Sequence, residues 1–111
     1  MGRLTTHVLD TANGRPGAGI TGQLYVVGTD INLVTEFTTN KDGRVDTPLL
    51  SEEDFVCGSY ELVFNIGQYF DSSEDPAFLS DVVIRFNLSQ DEHYHVPLLV
   101  SPWSYTTYRG S

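Results

Sequence analysis

The chain has 111 residues, with 15 Asp and Glu against 6 Lys and Arg, a formal charge of −9 and 40% hydrophobic residues. That length suits one domain that removes about two thirds of its unfolded surface from water on folding. Scattered basic residues (Arg3, Arg15, Lys41, Arg44, Arg85, Arg109) on an acidic chain exclude a nucleic-acid-binding stripe, and the longest uncharged apolar run, Val96 to Val100, excludes a membrane helix of ~20 residues.

Short β-branched and aromatic runs separated by Gly, Asn, Asp and Pro predict an all-β domain. In chain order the expected strands are Leu4 to Leu9, Gly22 to Val27, Leu33 to Thr39, Arg44 to Thr47, Ser59 to Ile66, Val82 to Leu88, His93 to Val100 and Ser104 to Arg109. Eight short strands in this length imply a sandwich of two sheets. Asn13-Gly14 and Asp42-Gly43 supply residues that tolerate positive φ, and Asn40-Lys41-Asp42-Gly43 reads as a hairpin loop that delivers Arg44 to the start of a strand. Two short helices are candidates, Ser51 to Asp54 with a capping Ser, and Gly67 to Ser72. The stretch Asp71 to Pro76 reads as a solvated connection.

The two-residue period of a strand then sorts faces. Tyr94, Val96, Leu98 and Val100 share the core side of their strand, leaving His93, His95, Pro97 and Leu99 outside; Leu4, Thr6 and Val8 oppose Thr5, His7 and Leu9 in the same way. Outward His7 and His95 amid Leu9, Pro97 and Leu99 make a surface that something covers, and an oligomer interface is the expected cover.

Spacing alone leaves the chemistry open. His93-x-His95 puts two imidazoles on one face and His7 could add a third zinc ligand, but there is no clustered Cys and no HExxH, and His93 reads as an exposed strand-end residue. Cys57 lacks a neighbouring base, forms no intrachain disulfide and reads as inert; no GxSxG elbow exists. Two His with an Arg can hydrolyse a polar ring by acid-base chemistry, although a structural His is the commoner case. No apolar stretch follows Arg3 and the ending is not of the peroxisomal SKL type, so the expected location is the cytoplasm; the sequon Asn87-Leu88-Ser89 is then a chance occurrence.

Six strings carry a resemblance: Leu4-Thr5-Thr6-His7-Val8-Leu9-Asp10, Asp42-Gly43-Arg44, Tyr60-Glu61-Leu62-Val63-Phe64, His93-Tyr94-His95-Val96-Pro97-Leu98-Leu99, Ser101-Pro102-Trp103 and the ending Tyr108-Arg109-Gly110-Ser111. Through them the chain resembles the 5-hydroxyisourate hydrolases, the transthyretin-related enzymes of urate breakdown. The resemblance implies one transthyretin-like domain over residues 1 to 111, a β-sandwich of two four-stranded sheets with one short helix, at Gly67 to Ser72. It implies a homotetramer, a dimer of dimers, with substrate at the dimer-dimer interface and no cofactor. It places catalytic roles on His7, Arg44, His95 and Ser111 and substrate contacts on His7, Arg44, Tyr108, Arg109, Gly110 and Ser111, and carries none to His93. The reaction implied is hydrolytic ring opening of 5-hydroxyisourate to 2-oxo-4-hydroxy-4-carboxy-5-ureidoimidazoline. Two readings compete with an enzyme: a small-molecule binding module on the same fold, and a sandwich that serves only as an interaction protein.

Overall fold

The computed structural model describes residues 1–71 and 76–110. Numbered in chain order, the elements are β1 (Arg3–Asp10), β2 (Arg15–Pro16), β3 (Thr21–Val27), β4 (Ile31–Thr38), β5 (Gly58–Phe64), α1 (Ile66–Phe70), β6 (Val82–Leu88), β7 (His93–Val100) and β8 (Tyr105–Thr107). They form two four-stranded sheets, β2-β1-β7-β8 and β4-β3-β5-β6, as expected of a transthyretin-like sandwich. The inward faces follow the strand period: Leu4, Val8, Leu98 and Val100 from one sheet meet Leu24, Leu62, Phe64 and Val82 from the other, all at most 1% exposed. No helix of the described residues is long and apolar enough to cross a membrane.

One pairing decides where the functional side chains go. β1 and β7, from opposite ends of the chain, run parallel in a register that sets Thr5 opposite His95 and His7 opposite Pro97. Because side chains alternate, Arg3, Thr5 and His7 share the outward face with His93 and His95.

Four expectations are corrected. Arg44 to Thr47 is not a strand: Arg44 makes a single bridge to His7, and contact with β1 resumes only at the Leu4 and Leu50 bridge. Three steps along β1 thus span six along this segment, which cannot keep a ladder and arches away, with Pro48 unable to donate to one. The eighth strand is instead β2, a two-residue return from the Asn13-Gly14 turn that pairs with Leu9 and Asp10. Ser51 to Asp54 is a turn, closed by the Asp54 amide donating to the Ser51 carbonyl (3.1 Å) and by the Ser51 hydroxyl donating to the Asp54 carboxylate (2.9 Å). The helix is α1, which starts at Ile66, a residue assigned from sequence to the preceding strand, and ends at Phe70; Ser72, the expected end, lies outside the described residues, as does much of the Asp71 to Pro76 connection.

The last strand is also shorter than the expected Ser104 to Arg109. β8 pairs with Leu98 to Val100 and stops at Thr107; the bridge between His95 and Gly110 then resumes the same register. Pro97 sits at the gap, where its missing N–H removes a rung of the ladder. The Thr107 hydroxyl donates to the Pro97 carbonyl instead (2.8 Å).

Candidate active site

A pocket of about 600 Å³ opens on the outward face of the β1-β7 pair, lined by Thr5, His7, Arg44, His95, Tyr108 and Gly110, with Arg3, Val45, Asp46, Pro48 and His93 at its sides. β1 and β7 supply its floor, the arched segment after Arg44 one wall, and the C-terminal segment another.

The floor carries a chain of short contacts. His7 Nδ1 and His95 Nε2 face each other at 2.6 Å, with the rings stacked at a centroid distance of 4.8 Å. The other nitrogen of His95, Nδ1, is 2.7 Å from Thr5 Oγ1, and the same hydroxyl is 2.9 Å from His93 Nε2. Among the described residues, His7 Nε2 has no hydrogen-bond partner. His93 is therefore not the exposed strand-end residue expected from sequence: it is half-buried and tied to Thr5, which the sequence reading placed on the correct face without a role. At 2.6 Å the facing nitrogens of His7 and His95 share a proton; two ligands of one zinc ion would stand farther apart.

Arg44 reaches the pocket through its turn. The Asn40 side chain accepts hydrogen bonds from the amides of Asp42 (2.9 Å) and Arg44 (3.1 Å), and the Asn40 amide donates to the Arg44 carbonyl (2.7 Å). Gly43 lies at φ +74°, where a Cβ would also strike the carbonyl oxygen of Val8; that close approach lets the Val8 amide donate to the Gly43 carbonyl (2.8 Å) and docks the turn on β1. The Asp-Gly-Arg string thus sets Arg44 beside His7.

Gly110 fixes the other wall. Its amide donates to the His95 carbonyl at 2.7 Å, and a Cβ there would lie 3.1 Å from His95 Cδ2. Alternation from Gly110 puts Tyr108 in the pocket and Arg109 on the opposite side. Arg109, expected at the substrate, has its guanidinium 2.7 Å from the Glu92 carboxylate and 4.3 Å from the centre of the Tyr94 ring, so it does not line the pocket. Ser111 lies outside the described residues.

The electrostatics favour neutral imidazoles. Burial and then the Arg44 guanidinium hold His7 below the usual histidine range; burial, His7, Arg44 and His93 do the same to His95. His93 is lowered by burial and by Arg3 and Arg109. Neutral imidazoles beside a fixed guanidinium can accept a proton from water and hold a developing oxyanion. Among the described residues no group of three or more His, Cys, Asp or Glu is arranged to hold a metal.

The description "HIUase/Transthyretin family" matches residues 4–110. The chain belongs to the HIUase/transthyretin family. Within this family it is similar to a 5-hydroxyisourate hydrolase of Pseudomonas aeruginosa, 56% identical over all of this chain and 93% of that protein. A second relative, 5-hydroxyisourate hydrolase 2 of Rhizobium meliloti, is 54% identical over 99% of this chain and 97% of its own length. Among solved structures, the 5-hydroxyisourate hydrolase of Klebsiella pneumoniae superposes with a TM-score of 0.86 at 32% identity, each chain covered in full. An (S)-allantoin synthase superposes with a TM-score of 0.88 at 45% identity over 99% of this chain; the chain spans 44% of that larger protein.

Proposed function

We propose that this HIUase/transthyretin family member hydrolyses 5-hydroxyisourate by attack of water on a ring amide carbonyl, without a cofactor. The observation that carries the reading is the facing His7 and His95 pair with Arg44 in one pocket, in a chain whose full-length relatives bear the name of that hydrolase.

His7 Nε2 takes a proton from water as the water oxygen bonds to the amide carbonyl carbon. The carbonyl π pair moves to oxygen, and the Arg44 guanidinium stabilises the resulting oxyanion. When the tetrahedral adduct collapses, the C–N bond breaks and the ring nitrogen takes the proton back from His7, giving 2-oxo-4-hydroxy-4-carboxy-5-ureidoimidazoline. His95 holds the His7 ring through the 2.6 Å contact. Tyr108 and the Gly110 backbone complete the hydrogen-bonding wall, Ser111 takes its catalytic role from the terminal Tyr108-Arg109-Gly110-Ser111 string alone, and Arg109 acts at a distance by anchoring that segment to Glu92 and Tyr94.

The working form is a homotetramer, a dimer of dimers, whose dimer-dimer interface closes the pocket. Support comes from the pocket's open side, which lies on a sheet face that also carries Leu9, 36% exposed. The test is to mix the protein with freshly generated 5-hydroxyisourate and follow its absorbance decay, with oligomer size checked by sedimentation. Accelerated decay by a tetramer is expected. Uncatalysed decay in the presence of folded tetramer would overturn the hydrolase reading in favour of a binding module.

A further inference from the structure

His93 Nε2, Thr5 Oγ1, His95 and His7 Nδ1 form one unbroken chain of three short contacts, at 2.9, 2.7 and 2.6 Å. A neutral imidazole carries one N–H, and a hydroxyl has one proton to donate. His95 therefore points its two bonds the same way, and with the Thr5 proton spent inside the chain all three bonds do so, which leaves two ways. In one, His7 Nδ1 donates to His95 Nε2, His95 Nδ1 donates to Thr5 Oγ1, and the Thr5 hydroxyl donates to His93 Nε2. His7 Nε2 is then a lone pair. In the other, every bond is reversed, the His7 proton sits on Nε2, and the pocket has no base.

We propose that Thr5 is a positioning residue: by donating to His93 Nε2 and accepting from His95 Nδ1, its hydroxyl couples the tautomers of the three histidines and leaves His7 Nε2 unprotonated toward the pocket. This rests on the reading of His7 as the base in hydrolysis. Without the hydroxyl, His95 Nδ1 loses its acceptor and either tautomer of the His7 and His95 pair is available. The bridge also gives the chain a direction for charge. When His7 gains the water proton at Nε2, its Nδ1 proton can pass to His95, the His95 Nδ1 proton to Thr5, and the Thr5 proton to His93. His93 then holds both ring protons and His7 is neutral with its proton on Nε2; as that proton goes to the leaving nitrogen, the chain runs back from His93 through Thr5 and His95 to His7 Nδ1, and every ring returns to its starting tautomer. No atom or electron is gained or lost along the way.

The charged and titratable groups around the three rings are Arg3 on β1, Arg44 and Asp46 on the arched segment, and Tyr108 and Arg109 on the C-terminal segment, the last paired with Glu92. Burial first, and then these cations, lower the proton affinity of all three rings, which favours the neutral resting state that the proton count uses.

The test uses the full-length protein labelled with ¹⁵N at histidine. Imidazole ¹⁵N shifts separate protonated from unprotonated nitrogens, and kinetics with 5-hydroxyisourate are measured on wild type, Thr5→Val and Thr5→Ser. Wild type is expected to show His7 with a proton on Nδ1 and none on Nε2, and His95 with a proton on Nδ1. Thr5→Val should average the His7 and His95 tautomers, reduce kcat about 10- to 100-fold through the loss of two hydrogen bonds, leave KM within a few-fold, and change the acid limb of the pH profile. Thr5→Ser should restore both tautomers and rate. Reversed tautomers in an active wild type would overturn the proposal even if Thr5→Val fails to fold. So would Thr5→Val with wild-type shifts and kcat, or Thr5→Ser as impaired as Thr5→Val. Ordered tautomers in a wild type that does not hydrolyse the substrate would instead overturn the hydrolase reading.

Discussion

Arg44 lines the pocket beside His7, and its charge, after burial, lowers the His7 proton affinity. In the proposed mechanism neutral His7 is the active form, so activity should be full above its folded pKa and fall as pH drops through it. Because that value lies below the ordinary 6.5, the acid limb of kcat/KM should be centred below 6.5. Arg44→Gln should move the limb upward while lowering kcat; a limb that stays in place would show that the charge does not act on the pair. Gly43→Ala should cost at least ~1–2 kcal/mol in the left-handed region, with a further penalty from the Val8 oxygen, and should reduce kcat by shifting Arg44. Chemical denaturation beside turnover measures both.

At this scale the sequence was legible unevenly. His7 and His95 could be placed outward by strand period alone, because alternation needs no tertiary information. Their direct contact could not, since it depends on β1 and β7 pairing parallel from opposite ends of the chain. The bridging role of Thr5 depends on the same register. Arg109 turns away from the pocket that Tyr108 and Gly110 line, because alternation sends neighbours of one motif to opposite sides.

At the scale of elements, the departures from expectation build the site. The arch after Arg44 looked like a strand because Val45 and Thr47 fit one, yet its unequal bridging with β1 makes it a pocket wall. Helix α1 has no side-chain cap and is held instead by its Tyr69 hydroxyl, which donates to Asp10 at 2.8 Å. Asp10 is fully buried at the end of β1 and also accepts from the Ala12 and Asn13 amides and the Asn13 side chain. Burial raises its pKa, but these hydrogen bonds outweigh burial and hold it below the ordinary 3.8. The associated stability is thus fully present above 3.8 and is lost as pH falls through the lower folded value. Tyr69→Phe should cost about 1.5–3 kcal/mol at pH 7, read by denaturant unfolding, and less in acid once Asp10 is protonated. Equal losses at both pH values would contradict the ionised pairing.

At the scale of the molecule, an all-β sandwich of eight strands was readable because turn residues and two-residue periodicity recur along the whole chain. Strand membership was not: β2 has two residues, too few to show a period. The charge of −9 opposes the arrival of an anionic substrate, leaving Arg44 and Arg3 to make a local positive site. Lowering the salt concentration should therefore bring no gain in kcat/KM, whereas a steep gain would show that long-range attraction governs encounter.

In the proposed reaction the His7 and His95 pair performs hydrolysis. Stopped-flow decay of freshly generated 5-hydroxyisourate, compared between wild type and a His7→Ala variant of unchanged oligomer size, tests it most directly. We expect wild type to accelerate decay and His7→Ala to be slower by about 10²- to 10⁴-fold. A folded His7→Ala variant with wild-type turnover would contradict the account.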